Sequence, residues 1–495
     1  MMRSLYSGVA GLKVHQTKMD VIGNNISNVN TVGFKSSTVT FADVLYQTSS
    51  NATGPNAESG RAGQNAMQIG LGAGVSSITT TVDSVGGAQR TDNPFDIMIE
   101  GDGFFVVNNG DGNLFTRAGS FMVDANGTLC NAAGYAVMGW QVDPNDPTKT
   151  KQDNVSPLRI MSPESQYSEP EATTAVHFSG NIDSADTAFD SETGKVTNFT
   201  FYDNLGRSYT ANLKLQQVED TDGRKIENQY AVAIEDILNS EGESILTRQN
   251  DDGEWEASGV SFSFGGIEFS VDEVDEETGK PIFEDDEFVL LEFSASTGKF
   301  VGVGNEDQSD EFIDKEAEGY PFNAVDFTID SGDDAANPFK TVSVDFSTLT
   351  MYAQSGTTKI EPTKGDLEGY GTGRAVGNMK GVTVDNLGMI YGVYDNGTSR
   401  LLGQIVVATF ANPSGLEAVG GSLFATTQNS GEFDGIGETI DSSGGKFNTG
   451  VVEMSNVDLS VEFTNMITTQ RGFQANSRII TTSDTLLEEL INLKR

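Results

Sequence analysis

Residues 455–495 read SNVDLSVEFTNMITTQRGFQANSRIITTSDTLLEELINLKR. Leu459, Met466, Phe473, Ile480 and Leu487 recur every seven residues, and Phe463, Ile467, Leu490 and Ile491 widen the stripe. Residues seven apart share nearly one face of an α-helix, so the spacing predicts a long amphipathic helix. Ser455 followed by Asp458 resembles a capping box that would open it. Asp458 and Glu462 at the start, with Lys494 and Arg495 at the end, suit the helix dipole. From Asp458 onward the helix would run about 38 residues, roughly 57 Å.

The other end repeats the theme. Leu5, Leu12, Met19 and Ile26 are also spaced by sevens, with Val9, Ile22 and Val29 extending the row. Asn30, Thr31 and Gly33 end the pattern. Both seams are too long to be covered by a small domain. They are expected to pack on each other and, because one pair would leave apolar area wet, on further copies of the chain.

Between the helices the chain changes character. It is Gly/Ser/Thr/Asn-rich from Gly54 to Gly87, and from Asp96 to Trp140 short β-type runs alternate with turn signals such as Asn109-Gly110 and Asn126-Gly127. Five of the twelve prolines fall between Pro144 and Pro170, which reads as a boundary. Many short β runs follow up to Phe346, and the earlier pattern resumes with Asp385-Asn386-Leu387-Gly388 and Asp395-Asn396-Gly397. The expected fold is multidomain: a discontinuous, coiled-coil-like helical domain from both termini, with mainly antiparallel β domains inserted in nested fashion. The expected boundaries are 1–30 with 455–495 for the helical domain and 31–73 with 432–454 for a linker region. A β domain would occupy 74–146 with 373–431, and an acidic outer β insertion 147–372.

The 495 residues include 30 Lys+Arg and 72 Asp+Glu, a net charge of −42. Nucleic acid and anionic membrane surfaces require a basic face, so both are disfavoured as partners. The acidity is regional. Residues 183–340 hold 39 acidic and 10 basic side chains, whereas residues 1–50 carry +2 and residues 451–495 carry −2. No apolar run reaches the ~18 residues of a membrane-spanning helix. The first twenty residues lack the continuous apolar region of a secretory signal peptide.

Tests for chemistry are mostly negative. Val75 stands where the third glycine of a dinucleotide fingerprint beginning at Gly70 and Gly72 would fall, and no Gly-Lys pair is followed by Ser or Thr. No Gly-x-Ser-x-Gly elbow occurs. His15 and His177 are too far apart in sequence to suggest a metal pair. The acidic runs Asp272–Glu277, Glu284–Glu287 and Glu306–Asp310 lack the EF-hand pattern and read as solvated turns. Cys130, the sole cysteine, reads as a buried small hydrophobe. No catalytic residue, cofactor or metal is nominated, and the chain is expected not to be an enzyme.

Four stretches are more specific. Residues 24–35 read NNISNVNTVGFK, 96–107 read DIMIEGDGFFVV, 115–129 read FTRAGSFMVDANGTL, and 455–478 open the C-terminal helix. Together they resemble the axial proteins of the bacterial flagellum, most closely the hook type, over roughly half the chain. The resemblance implies an extracellular structural subunit that self-assembles into a curved hollow tube. That tube would act as a universal joint carrying torque from rod to filament. It also implies type III export without a cleaved signal peptide, with the distal rod, the hook–filament junction protein and the hook cap as neighbours. Membrane insertion and nucleic-acid binding are not expected.

By the same resemblance the family-motif residues are Asn24, Asn25, Asn28, Gly33, Phe34, Asn456, Gln470, Arg471, Gln474, Asn476 and Arg478. The amides and guanidinium groups from Gln470 to Arg478 would make inter-subunit contacts near the channel, and the acidic insertion would face outward. The two heptad rows are the expected self-assembly residues. A distal-rod-type subunit is one alternative, and a secreted glycan-binding or glycan-hydrolysing β protein is another.

Overall fold

A computed structural model describes residues 2–55, 60, 62–144, 146–191, 194–219, 224–250, 252–271, 273–283, 288–305, 323–332 and 337–493. The acidic runs 284–287 and 306–310, together with Asp272, Lys494 and Arg495, lie outside the described residues. The architecture is mostly antiparallel β-sheet with one long helix near each end of the chain. Helix α1 spans Met2–Ser27 and helix α2 spans Leu459–Leu493. Neither helix is long and apolar enough to cross a membrane.

The start of α2 differs from the expected capping box. The Asp458 carboxylate accepts the backbone N–H groups of Ser460 (2.8 Å) and Val461 (3.3 Å), so Asp458 is the N-cap. Ser455 lies outside the helix, and its hydroxyl oxygen accepts the Val457 N–H.

The chain divides into two compact units. The first comprises residues 1–166, 379–393 and 399–495; the second comprises 167–378 and 394–398. The insertion thus begins and ends later than expected. Asp146–Thr150 and Ser156–Pro157 pair with Ala136–Asp143, and Leu158 and Ile160 fill the core of the first unit.

In the first unit, Phe104–Asn108 is flanked by Asn113–Thr116 on one side and Ala136–Asp143 on the other, and the latter pairs onward with Ser399–Ile405. Phe105 and Val107 face one apolar cluster, with Leu129, Val137, Ile405 and Phe447. Phe104 and Val106 face another, with Phe115, Trp140 and Phe424. Covering both faces explains the unbroken apolar run Phe104–Val107, since alternation is needed only where one face meets water.

The stretch 31–73 is more ordered than a bare connector. Ser37–Asp43 pairs with Ala73–Thr80, and Tyr46–Ser50 pairs with Met67–Gly70. Facing hydroxyls cross-link the first pairing, at Ser37–Thr80, Thr38–Thr79 and Thr40–Ser77.

The second unit holds two sheets around one aromatic-rich core. Phe178, Phe262, Phe327 and Phe346 from one sheet meet Phe199, Phe201, Tyr230 and Phe293 from the other. A parallel pairing joins Ala175–Ile182 to Val342–Met351; the other pairings within these two sheets are antiparallel.

One turn recurs seven times among the described residues, beginning at Asp124, Asn131, Asp203, Asn239, Asn250, Asp366 and Asp385. In each, the side-chain oxygen accepts the N–H groups two and four residues on. The fourth residue is always a glycine with φ between 78° and 87°. The sequence rule is Asp/Asn-x-x-Gly: the acid or amide replaces two strand acceptors, and only glycine takes the left-handed position without strain.

Asp203 is fully buried. Asp203→Ala is expected to destabilise the second unit by about 1–3 kcal/mol, because two backbone donors lose their acceptor. Asp203→Asn keeps that acceptor and should retain most of the stability. Urea unfolding of both variants checks this; equal losses would contradict it.

Candidate functional site

The candidate site is the helix pair and the polar cluster at its base, all in the first unit. Residues of α1 and α2 meet at Ser4–Ser483, Gly11–Asn476, His15–Gly472 and Asn25–Glu462. The residue numbers of each pair add to 487, so the helices run antiparallel in one uninterrupted register. The contact is made mainly by small and polar residues, with Ile480 against Gly8 and with Val14 and Ile22 of α1 also buried. A Cβ on Gly11 would lie 2.6 Å from the Asn476 side chain, and one on Gly472 would lie 2.6 Å from the His15 ring. Glycine at these places lets the backbones approach closely, against its usual cost of about 0.5–1 kcal/mol in a helix.

The seam on α2 is therefore Glu462, Thr469, Asn476 and Ser483. It has the expected spacing of seven, offset by three or four residues from the apolar row, which therefore borders it on the same side of the helix. Leu5, Leu12, Met19, Ile26, Met466, Phe473, Ile480 and Leu487 flank the seam and are half-buried, while Leu459 is exposed. Val9 is 48 % exposed, Phe463 45 % and Ile467 57 %. Within one chain the helices adhere through a mainly small and polar stripe with half-buried apolar residues at its border, and leave Val9, Leu459, Phe463 and Ile467 exposed.

The base of the pair is held by two staples. Asn25, fully buried, donates to the Ser37 carbonyl (2.8 Å) and to Glu462 (2.9 Å), and accepts the Ser37 N–H (3.0 Å). Asn456 accepts the Ser36 N–H (2.7 Å) and donates to the Thr81 carbonyl. Gly33, at φ 67°, donates to the Glu453 carbonyl, and a Cβ there would lie 2.6 Å from the Ala118 nitrogen. The half-buried Phe34 accepts the Asn456 N–H through its carbonyl.

Beneath them lies a buried charge cluster that sequence reasoning missed. Lys35 Nζ donates to Glu453 Oε1 at 2.7 Å and to the Ser84 carbonyl at 2.6 Å, and the Gly86 N–H also donates to Glu453. The Arg117 guanidinium stands 4.0 Å from the other Glu453 oxygen and lies over the Phe104 ring. Burial holds both the Lys35 and the Arg117 cations below their usual ranges, with Glu453 opposing the shift. The quoted motifs contain Lys35 and Arg117, but nothing in their local spacing marked either as buried.

The remaining motif residues are placed as follows. Asn28 donates to the Asn24 carbonyl, closing the end of α1. Gln470, Arg471, Gln474 and Arg478 are exposed, with Arg471 donating to Gln474 at 3.4 Å. Asn476 faces Gly11 of its own chain and donates to the Gly472 carbonyl. Cys130 is buried with a free thiol, which burial pushes up from its ordinary range. His177 contacts the Gly365 carbonyl through Nδ1 at 2.9 Å. No group of three or more His, Cys, Asp or Glu able to hold a metal occurs among the described residues.

Four family profiles match successive parts of the chain. They are "Flagella basal body rod protein" over residues 5–35, "Flagellar hook protein FlgE/F/G D1 domain" over 98–175, "Flagellar basal body protein FlaE D2 domain" over 167–365, and "Flagellar basal body rod FlgEFG protein C-terminal" over 448–493. The flagellar hook protein FlgE of Treponema pallidum is 35 % identical over 509 residues, covering all of both chains. That of Borreliella burgdorferi is 35 % identical over 503 residues, again covering all of both. Among solved structures, the Helicobacter pylori hook protein FlgE2 aligns with 74 % of this chain and all of its own at 15 % identity and a TM-score of 0.33, too slight a likeness to bear on the fold.

Removing Lys35 takes the closest cation from the buried Glu453 carboxylate and leaves it only the Gly86 N–H and Arg117 at 4.0 Å, so Lys35→Met is expected to cost about 3–5 kcal/mol, with partial recovery on adding Glu453→Gln. Thermal unfolding of the single and double variants measures this; an unchanged single variant would contradict it. Burial, reinforced by Lys18, lowers the His15 pKa below its ordinary 6.5. The folded pair thus favours neutral imidazole: its contribution is complete above about pH 6.5 and is lost as pH falls. Amide protection factors in α1, corrected for intrinsic exchange, should fall on acidification, and His15→Gln should flatten that dependence; an unaltered dependence would refute the assignment.

Proposed function

The chain belongs to the flagellar hook protein family, and from that premise we propose that its helix pair is the unit through which copies join into the hook. The protein is a structural subunit of the flagellar hook. The observation that carries the assembly reading is the set of exposed apolar residues beside a seam of small and polar ones. Phe463, Ile467, Ile479, Leu486 and Leu490 are all exposed, and burying one side chain of this size stabilises by about 1.5–3 kcal/mol. Neighbouring copies laid along the pair would cover that face and build the inner, coiled-coil-like wall of a hollow helical tube. Gln470, Arg471, Gln474 and Arg478, exposed on α2, would supply the polar contacts between subunits.

The segments 31–73 and 432–454 would connect this wall to the β units. The acidic unit would face outward, where like charge keeps the sliding outer surfaces of adjacent copies apart. Bending with continuous contact along the inner wall is the mechanical requirement of a universal joint between rod and filament. We further propose a structural rather than catalytic role and export through the flagellar type III apparatus. The distal rod, the hook–filament junction protein and the hook cap would be its neighbours.

The double variant Phe463→Ser/Ile467→Ser is expected to leave the monomer folded by circular dichroism while abolishing tubes in electron micrographs. Tubes of normal length and yield from that variant would contradict the proposal.

A further inference from the structure

The second unit contains a cleft of about 730 Å³ that the assembly account does not use. It lies where the hairpin Thr247–Gln249/Trp255–Ala257 meets the paired strands Ser208–Glu219 and Lys225–Leu238 of the five-stranded sheet. Two tryptophans occur in the chain. Trp140 is buried in the first unit and donates to the Ile436 carbonyl, as a core indole usually does. Trp255 is only half-buried and lines the cleft.

The indole of Trp255 is held in place. A Cβ on Gly279 would lie 2.6 Å from the ring, so part of the ring rests directly on that glycine. The Thr247 hydroxyl donates to the Gly279 carbonyl at 2.8 Å and anchors the same loop. Polar groups converge beside the ring. Asp236, 7 % exposed, is oriented by the Ser244 hydroxyl (2.5 Å) and the Ile237 N–H (2.8 Å). Asn212 adds an amide, Lys280 stands 4.0 Å from Glu235, Arg248 is held by Glu256 at 2.7 Å, and Glu243 adds a further carboxylate. With both signs present, the lining suits neither a strong anion nor a strong cation. An apolar platform ringed by fixed donors and acceptors is the arrangement that selects a small ligand by shape and hydrogen bonding.

We propose that this cleft binds a neutral oligosaccharide, one pyranose stacking on Trp255 and its hydroxyls reaching Asp236, Asn212 and Arg248. The volume accommodates two or three sugar rings. The site would let the outer surface of the assembled tube engage neutral polysaccharide around the cell, independently of how subunits join.

The test is calorimetric titration of the full chain with chitotriose, cellotriose, mannotriose and, as a charged control, trigalacturonate, with tryptophan emission recorded alongside. Saturable millimolar-range or tighter binding of at least one neutral trisaccharide, with a shift in emission, is expected. Trp255→Ala should weaken it at least about tenfold with circular dichroism unchanged. Arg248→Ala, at an exposed position outside the core, should weaken it severalfold and serves if the first variant misfolds. The proposal is overturned if none of the neutral sugars binds. It is equally overturned if binding survives both substitutions, or if trigalacturonate alone is bound.

Discussion

Everything in this molecule depends on how closely its two terminal helices can approach. Gly11 and Gly472 leave room for Asn476 and His15, and the pairing runs without a break from Ser4–Ser483 to Asn25–Glu462. That contact makes the 430 or so residues between the helices a closed excursion. The Asn25, Asn456 and Lys35–Glu453 staples then fix the point where the chain leaves the helices and returns. A large apolar seam would have buried the sticky face within one subunit. A small, polar seam holds the pair together and keeps the apolar face available to neighbours.

The β units are specified by a second, local device. Seven Asp/Asn-x-x-Gly turns each satisfy two backbone donors with one side chain and place glycine at positive φ. Part of the net charge of −42 is therefore structural, since the carboxylates of Asp124, Asp203, Asp366 and Asp385 lock turns. The remainder of the acidity lies mostly on the second unit, whose core is closed by aromatic contacts between two sheets.

Much of this was legible in the sequence, and the gaps have physical causes. Both helices and their period of seven follow from Leu5 to Ile26 and Leu459 to Leu487. The phase of the seam does not, because Gly11, Gly472, Ser4 and Ser483 carry no hydrophobic signal; only their shared spacing could have revealed it. The ion cluster was invisible because Lys35, Arg117 and Glu453 are far apart in the chain and each resembles an ordinary surface charge. The insertion boundary slipped to Gln166/Tyr167 because the strands at 146–157 pair back onto Ala136–Asp143, a long-range choice that proline content does not report.

The most direct measurement of the central claim is a cryo-electron microscopy map of the assembled polymer at side-chain resolution. Gly11, Gly472, Asn476 and Ser483 should face the helix of their own subunit, with Phe463, Ile467 and Leu490 buried against neighbouring subunits. A map with those apolar residues in solvent and the glycine seam facing another subunit would contradict it.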